Sequence, residues 1–200
     1  MAVTPVLAGL IDAEPLADVL QAALWDDPLL NWMLPDDDTR SRRAAGLFEV
    51  LIQYHYLPMH SVWTTSDTAG AALWSPPEHW RIPLGTIARH MHTVLFSLGR
   101  NAIRSLRLLD YVDGHHPTEP HWYLGVLGTN PPRQGQGIGS ELLRPVLDRC
   151  DRDGTPAYLE SSTESNIGFY ARHGFVVTGE MRMAPTAPVL YPMRREPRPN

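Results

Sequence analysis

The stretch "PPRQGQGIGSELLRPVLDRC", residues 131–150, sets Gly135, Gly137 and Gly139 on alternate positions just before a helix-spaced apolar run. A helix start carries unpaired N–H groups and the positive end of the macrodipole, which suits a phosphate. Glycine lets successive amides turn toward such an anion without a Cβ in the way. About twenty residues on, Glu160 lies at the end of an otherwise apolar run, "AYLESS", where a carboxylate needs a physical reason. His121 stands at the head of a second apolar run, "HWYLGVLG".

Three readings compete for the glycines. No Lys-Ser or Lys-Thr follows them, which excludes the P-loop. The spacing G-x-G-x-G is one residue short of a dinucleotide fingerprint; Glu160 sits where such folds hold a ribose, yet no further strand–helix repeats follow. The third reading is a tight connection that merely packs closely. The strand before the loop, the helix after it and the next strand all agree with an anion site instead.

These residues need elements to hold them. Residues 121–128 read as a central strand buried on both faces, and a helix follows the glycines to about Arg152. Residues 157–162 form a strand, "NIGFYARHG" a short helix closed by Gly174, and "FVVTGEM" and "PVLYPMRR" two last strands. Before residue 121 the spacing predicts a helix over 13–25 behind Pro15, an irregular segment through Pro28 and Pro35, and a helix over 40–57. A β-hairpin runs from Val62 to Trp74, with one or two helices over 83–111 and a loop at "DGHHPTEP". The order implies an α/β protein with a mixed sheet, read as one domain over 1–200. Pro145 lies too deep in its helix to be a first-turn proline and should kink it or free the Glu141 carbonyl.

Composition narrows the chemistry. With 43% hydrophobic and 20% charged residues, the 200-residue chain has the make-up of a soluble globular protein. A net charge of −5 argues against nucleic acid as partner, and all 17 basic residues are arginine. Cys150 is the single cysteine, so there is neither an intrachain disulfide nor a thiolate metal cluster; helical spacing places it on an apolar face. No apolar stretch approaches the ~18 residues of a membrane span, and the N-terminus lacks a signal-peptide pattern; a cytoplasmic location is expected.

"RQGQGIGS" after "LGVLGTNPP" resembles the acetyl-CoA signature of the GNAT superfamily of N-acetyltransferases, Gln/Arg-x-x-Gly-x-Gly/Ala, met by Gln134, Gly137 and Gly139. Asn166 followed by "FYARHGF" matches the second half of that signature. The likeness extends over residues 121–195 and is nearest to the branch containing puromycin N-acetyltransferase, which carries a stretch like "LWSPPE". It implies a mostly antiparallel sheet, flanked by helices, in which two parallel central strands splay apart. Acetyl-CoA would then be the co-substrate, without a metal. Its pantetheine arm would lie along Leu127, Gly128 and Thr129, bonded by Asn166, and its pyrophosphate would be held by Arg133, Gln134, Gly135, Gln136, Gly137, Ile138, Gly139 and Ser140. Gln136 replaces the Arg or Lys of many members, shifting weight onto backbone amides and Arg133.

Acyl transfer to an amine needs a neutral amine, a polarised carbonyl and a proton for the departing thiolate. Tyr170 matches the family tyrosine that donates to the sulfur. Glu160 and His121 are the candidates for taking the amine proton, directly or through water. His90, His92 and the "HH" at 115–116 read as bland, and no metal site is expected. The acceptor side falls in residues 1–120, with Asp26, Trp32 and Tyr54 as candidate contacts for a cationic amine with an apolar body. The expected activity is direct transfer to a small-molecule primary amine by a monomer or homodimer. A peptide acetyltransferase, a non-catalytic acyl-CoA-binding module and, more distantly, a nicotinamide enzyme are the alternatives.

Overall fold

A computed structural model describes residues 4–198. Its strands are β1 (Pro5–Leu7), β2 (Val62–Thr65), β3 (Gly70–Ser75), β4 (Trp122–Thr129), β5 (Ala157–Ser161), β6 (Val176–Val177) and β7 (Tyr191–Arg195). They form one seven-stranded sheet in the order β1-β2-β3-β4-β5-β7-β6. Every neighbouring pair is antiparallel except β4 and β5. That parallel pairing covers only Trp122 with Ala157 and Tyr123 with Tyr158.

Beyond Tyr123 the two strands part, as expected. β4 stays paired to β3 out to Thr129, and β5 to β7 out to Ser161, so their facing edges carry unpaired backbone groups. The parting has a local cause. Leu73 pairs with Val126 but Trp74 with Leu124, which leaves Gly125 as an extra residue in β4. Such a bulge bends its strand away from the ladder. Glycine suits that position, because a Cβ on residue 125 would run into the Tyr56 hydroxyl.

The sheet carries helices on both faces. One face is covered by α1 (Ala13–Ala23), α2 (Pro28–Met33), α3 (Arg40–Leu51) with a π-helical extension over Ile52–Tyr56, α5 (Met91–Leu98) and α6 (Ala102–His115), α4 (Leu84–Arg89) leading into α5. Leu16, Leu20, Phe48, Ile52, Leu73 and Leu108 pack in that layer. The other face is covered by α7 (Ile138–Asp153) and α8 (Ile167–Arg172), with Ile138, Leu142, Val146, Trp74, Leu124 and Leu159 between helix and sheet. Cys150 is fully buried there and burial pushes its thiol up to about 12, which makes it a packing residue. Arg195 of β7 grips Asp151 of α7 through two 2.7 Å bonds.

Several local expectations change. The irregular segment after Trp25 contains α2, because Asp27 caps it by accepting from the Leu30 N–H at 2.9 Å and Pro28 occupies the first turn. Residues 83–111 hold three helices, and the last continues to His115, into the predicted loop. β1 pairs with β2 although three residues are too few to show a period. α7 runs unbroken through Pro145, which leaves the Glu141 carbonyl without its usual helical donor.

Candidate active site

The glycine turn is shaped by backbone conformation. Gly135 and Gly137 have φ of +74° and +80°, a region in which side chains are strained, and Gly137 is the N-cap of α7. No side chain caps this 16-residue helix, so its first N–H groups have no intrahelical or capping partner. A Cβ on Gly137 would meet nothing within 4 Å, so the turn borders open space rather than packed protein. These are the features of an anion cradle, and they suit a pyrophosphate.

Around the cradle lies a cleft of about 740 Å³. Leu127, Gly128 and Thr129 of β4 and Asn166, Phe169 and Tyr170 line it, together with residues 22–27 at the end of α1 and just beyond it. Arg133, Gln134, Gly135, Gly137, Ile138, Gly139 and Ser140 line it, whereas Gln136 does not. Gln136 instead accepts from Arg133 Nε at 3.1 Å. The Arg133 guanidinium also holds Asp67 of the β2–β3 turn at 2.7 Å. Thr65 and then Arg133 bond the Asp67 carboxyl and keep it down at about 2. Gln134 ties the turn to β4 by donating to the Thr129 carbonyl at 3.2 Å.

Tyr170 packs between Phe169 and Phe175, with ring centroids 5.1 and 6.0 Å away. Burial, and secondly the charge of Asp27, push its phenol above the ordinary value of 10, so it is a neutral O–H donor at the cleft. Asp27 also accepts from the Ser162 hydroxyl, which joins α2 to the end of β5. Asp26 lines the cleft. Trp32 and Tyr54 do not: Trp32 lies under the Arg104 guanidinium, and Tyr54, 44% exposed, stacks on His90.

A second polar cluster flanks the parallel pairing, with His116 and His121 before its first residue and Glu160 beyond its last, and its residues do not line the cleft. The Glu160 side chain is 5% exposed and sits 3.4 Å from Nδ1 of His116, whose side chain is 1% exposed. His116 Nε2 meets His121 Nε2 at 2.9 Å, and His121 Nδ1 meets the Glu119 carbonyl at 2.7 Å. Tyr123 and Tyr158 face Glu160; burial first, then that carboxylate's charge, raises both phenols above their ordinary value. Tyr56 is raised in the same order of causes, relieved in part by a bond with Ser75.

His121 therefore lies one imidazole behind Glu160, with both ring nitrogens engaged. His116, which reads as a bland loop residue, is the group in contact with the carboxylate. Its signal in the sequence is faint, because only the return of the α6–β4 connection over β5 brings it there. Asp27 was more legible: an acid directly before a proline marks a helix start.

The arrangement puts a neutral phenol at the cleft and a buried carboxylate among residues that do not line it. Among the described residues no group of three His, Cys, Asp or Glu is placed to hold a metal. Nor is any described helix long and apolar enough to cross a membrane.

A family model described as Acetyltransferase (GNAT) family matches residues 59–175, more than half of the chain. An uncharacterized N-acetyltransferase of Schizosaccharomyces pombe is 28% identical over 176 residues, covering 82% of this chain and 71% of the relative. N-alpha-acetyltransferase 50 of Danio rerio is 34% identical over 67 residues, 32% of this chain and 40% of that protein. Among solved structures, histone acetyltransferase HPA2 and related acetyltransferase from Corynebacterium glutamicum superposes with a TM-score of 0.75 at 26% identity, covering 100% of this chain and 99% of that one.

Proposed function

The chain belongs to the acetyltransferase (GNAT) family, and from that premise we propose that it moves the acetyl group of acetyl-CoA to the primary amine of a small molecule, directly, within a ternary complex. Acetyl-CoA supplies an activated thioester. The observation that carries the reading is the parting of β4 from β5 beside an uncapped, glycine-turned helix start.

Each residue then has a task. The amides at the start of α7, with Arg133, hold the pyrophosphate. The free edge of β4 at Leu127–Thr129 pairs with the amide-bearing pantetheine as an added strand would, and Asn166, which also lines the cleft, steadies it. Backbone N–H near Leu127 polarises the thioester carbonyl. Glu160 accepts the amine proton, and Tyr170 gives a proton to the departing sulfur.

The interior position of Glu160, among Tyr56, Tyr123 and Tyr158, favours a slim amine over a bulky protein surface. Asp26 and Asp27 at the cleft favour a cationic one. One observation favours a peptide acceptor instead: the 34% identity to N-alpha-acetyltransferase 50 over 67 residues. The two separate in a thiol-release assay with acetyl-CoA and a panel of aliphatic amines, arylalkylamines, an aminonucleoside such as puromycin, and free peptide N-termini. The aminonucleoside is included because "LWSPPE" resembles the puromycin branch. Turnover with a small amine and none with peptides is expected; turnover confined to peptides would overturn the small-molecule assignment.

A further inference from the structure

The buried chain of Glu160, His116 and His121 has only one consistent set of hydrogen positions when both rings are neutral. A backbone carbonyl can only accept, so the Glu119 carbonyl requires a proton on His121 Nδ1. Neutral His121 then presents a bare Nε2, and the His116 Nε2 at 2.9 Å must be the donor. Neutral His116 therefore turns a bare Nδ1 toward Glu160 Oε1, lone pair facing lone pair. Those two atoms are both buried and have no other hydrogen-bond partner. One further proton placed between them satisfies both, and without it both stay desolvated and unpaired.

We propose that Glu160 and His116 form a two-residue base that takes up one proton as a unit, with His121 as the positioning residue that locks the tautomer of His116. This rests on the acetyl-transfer reading of the site. In the step it serves, an R–NH3+ group loses a proton to the Glu160 carboxylate, and that proton passes to His116 Nδ1. The products are R–NH2 and an imidazolium beside a carboxylate; one proton moves and no electrons are exchanged. The proton then leaves to water in a second cavity of about 320 Å³ that both imidazoles line.

The surroundings are built for this. Trp80 stacks on the His116 ring at 3.7 Å and holds its plane. Tyr123 and Tyr158 keep their protons and face Glu160 as donors, whereas the Tyr56 hydroxyl is bonded with Ser75. Asp113 at the end of α6 and Arg81 flank His116 from the cavity side and oppose each other in charge. Arg194 of β7 is drawn off by Glu119 and Glu196, at 2.8 and 2.5 Å. Among the described residues no arginine forms an ion pair with Glu160, so the carboxylate is left to hold the proton with His116.

Histidine-selective ¹⁵N NMR of the free protein reads the proton positions without any substrate. The expected spectra show His121 as the Nδ1–H tautomer at all pH values where it is neutral, and His116 protonated to a higher pH in the wild type than in Glu160→Gln. Kinetically, His116→Gln should lose about 10²-fold in kcat/KM for the amine and lose the acidic limb of the pH profile, with acetyl-CoA affinity unchanged. Imidazole added to His116→Gly should restore part of the rate by occupying the emptied space. A His116 titration indifferent to Glu160→Gln, or a His116→Gln enzyme with the wild-type profile, would overturn the dyad. Absence of transfer by the wild type to every amine would instead overturn the functional reading, and the NMR comparison would still decide where the proton sits.

Discussion

Replacing Tyr170 by Phe removes one oxygen from the wall of the cleft and leaves the ring. The ring contacts with Phe169 and Phe175 persist, and the phenol donates to no protein acceptor among the described hydrogen bonds. Loss of the hydroxyl should therefore change folding stability by less than about 0.5 kcal/mol, below 2 °C in Tm for a chain of this size. Turnover is another matter. Burial and the Asp27 charge keep the phenol protonated throughout the neutral range, so its proton is available whenever the C–S bond breaks. Charge then moves from one desolvated atom to another, and the desolvation that disfavours phenolate also disfavours a free thiolate. A lost general acid costs about 10²-fold or more, or about 2.7 kcal/mol of barrier. The loss belongs in kcat with KM nearly unchanged, because the interaction is made in the transition state. Stopped-flow thiol release at saturating acetyl-CoA, beside a thermal melt, measures both. A Tyr170→Phe enzyme with wild-type kcat would refute the assignment; a large fall in Tm would show that the hydroxyl has a structural partner.

Three further outcomes follow from the geometry. Gly137→Ala sets a methyl at a φ of +80° on the cradle and should weaken acetyl-CoA binding by about tenfold or more, the worth of one charge-assisted hydrogen bond; calorimetry with a matching circular dichroism spectrum tests it, and unchanged affinity would remove the pyrophosphate from this turn. Asp67→Asn frees the Arg133 guanidinium and should tighten acetyl-CoA binding by about two- to fivefold at low salt, an advantage that fades as salt is added; weaker binding would mean that Asp67 orients Arg133 instead. His55 is 5% exposed and burial lowers its pKa from 6.5 to about 4, so the unfolded chain takes up its proton first as pH falls. Its neutral form should lend stability that is lost between pH 6.5 and 4, on the order of 3 kcal/mol, and urea titrations of His55→Gln should show a flatter pH dependence in that window than the wild type.

Features set by local chemistry could be read before any coordinates. The glycine turn is one, because a positive φ and an uncapped helix start are properties of consecutive residues. The strand over 121–128 was legible as a nearly continuous apolar run, and α7 through its helix-spaced apolar residues. Features made by distant pairing were not. Glu160 stood out as a carboxylate in an apolar strand, but its partner His116 lies 44 positions earlier, in the connection between α6 and β4. Trp32 and Tyr54 looked suited to an acceptor; in the structure Trp32 lies under Arg104, Tyr54 stacks on His90, and neither lines the cleft beside Gly137. The need for glycine at the β4 bulge comes from the Tyr56 hydroxyl, contributed from 69 residues away.

The central claim is direct acetyl transfer from acetyl-CoA, bound in the cleft beside Gly137, to a small amine held with it. Mass spectrometry of a single turnover, with enzyme in excess over acetyl-CoA and the best amine from the panel, tests it most directly. The account predicts acetylated amine and free CoA in equal amounts, release only when the amine is present, and no acetyl adduct on the protein at any time. Free CoA without acetylated amine, or an acetylated enzyme that forms before the amine is added, would contradict it.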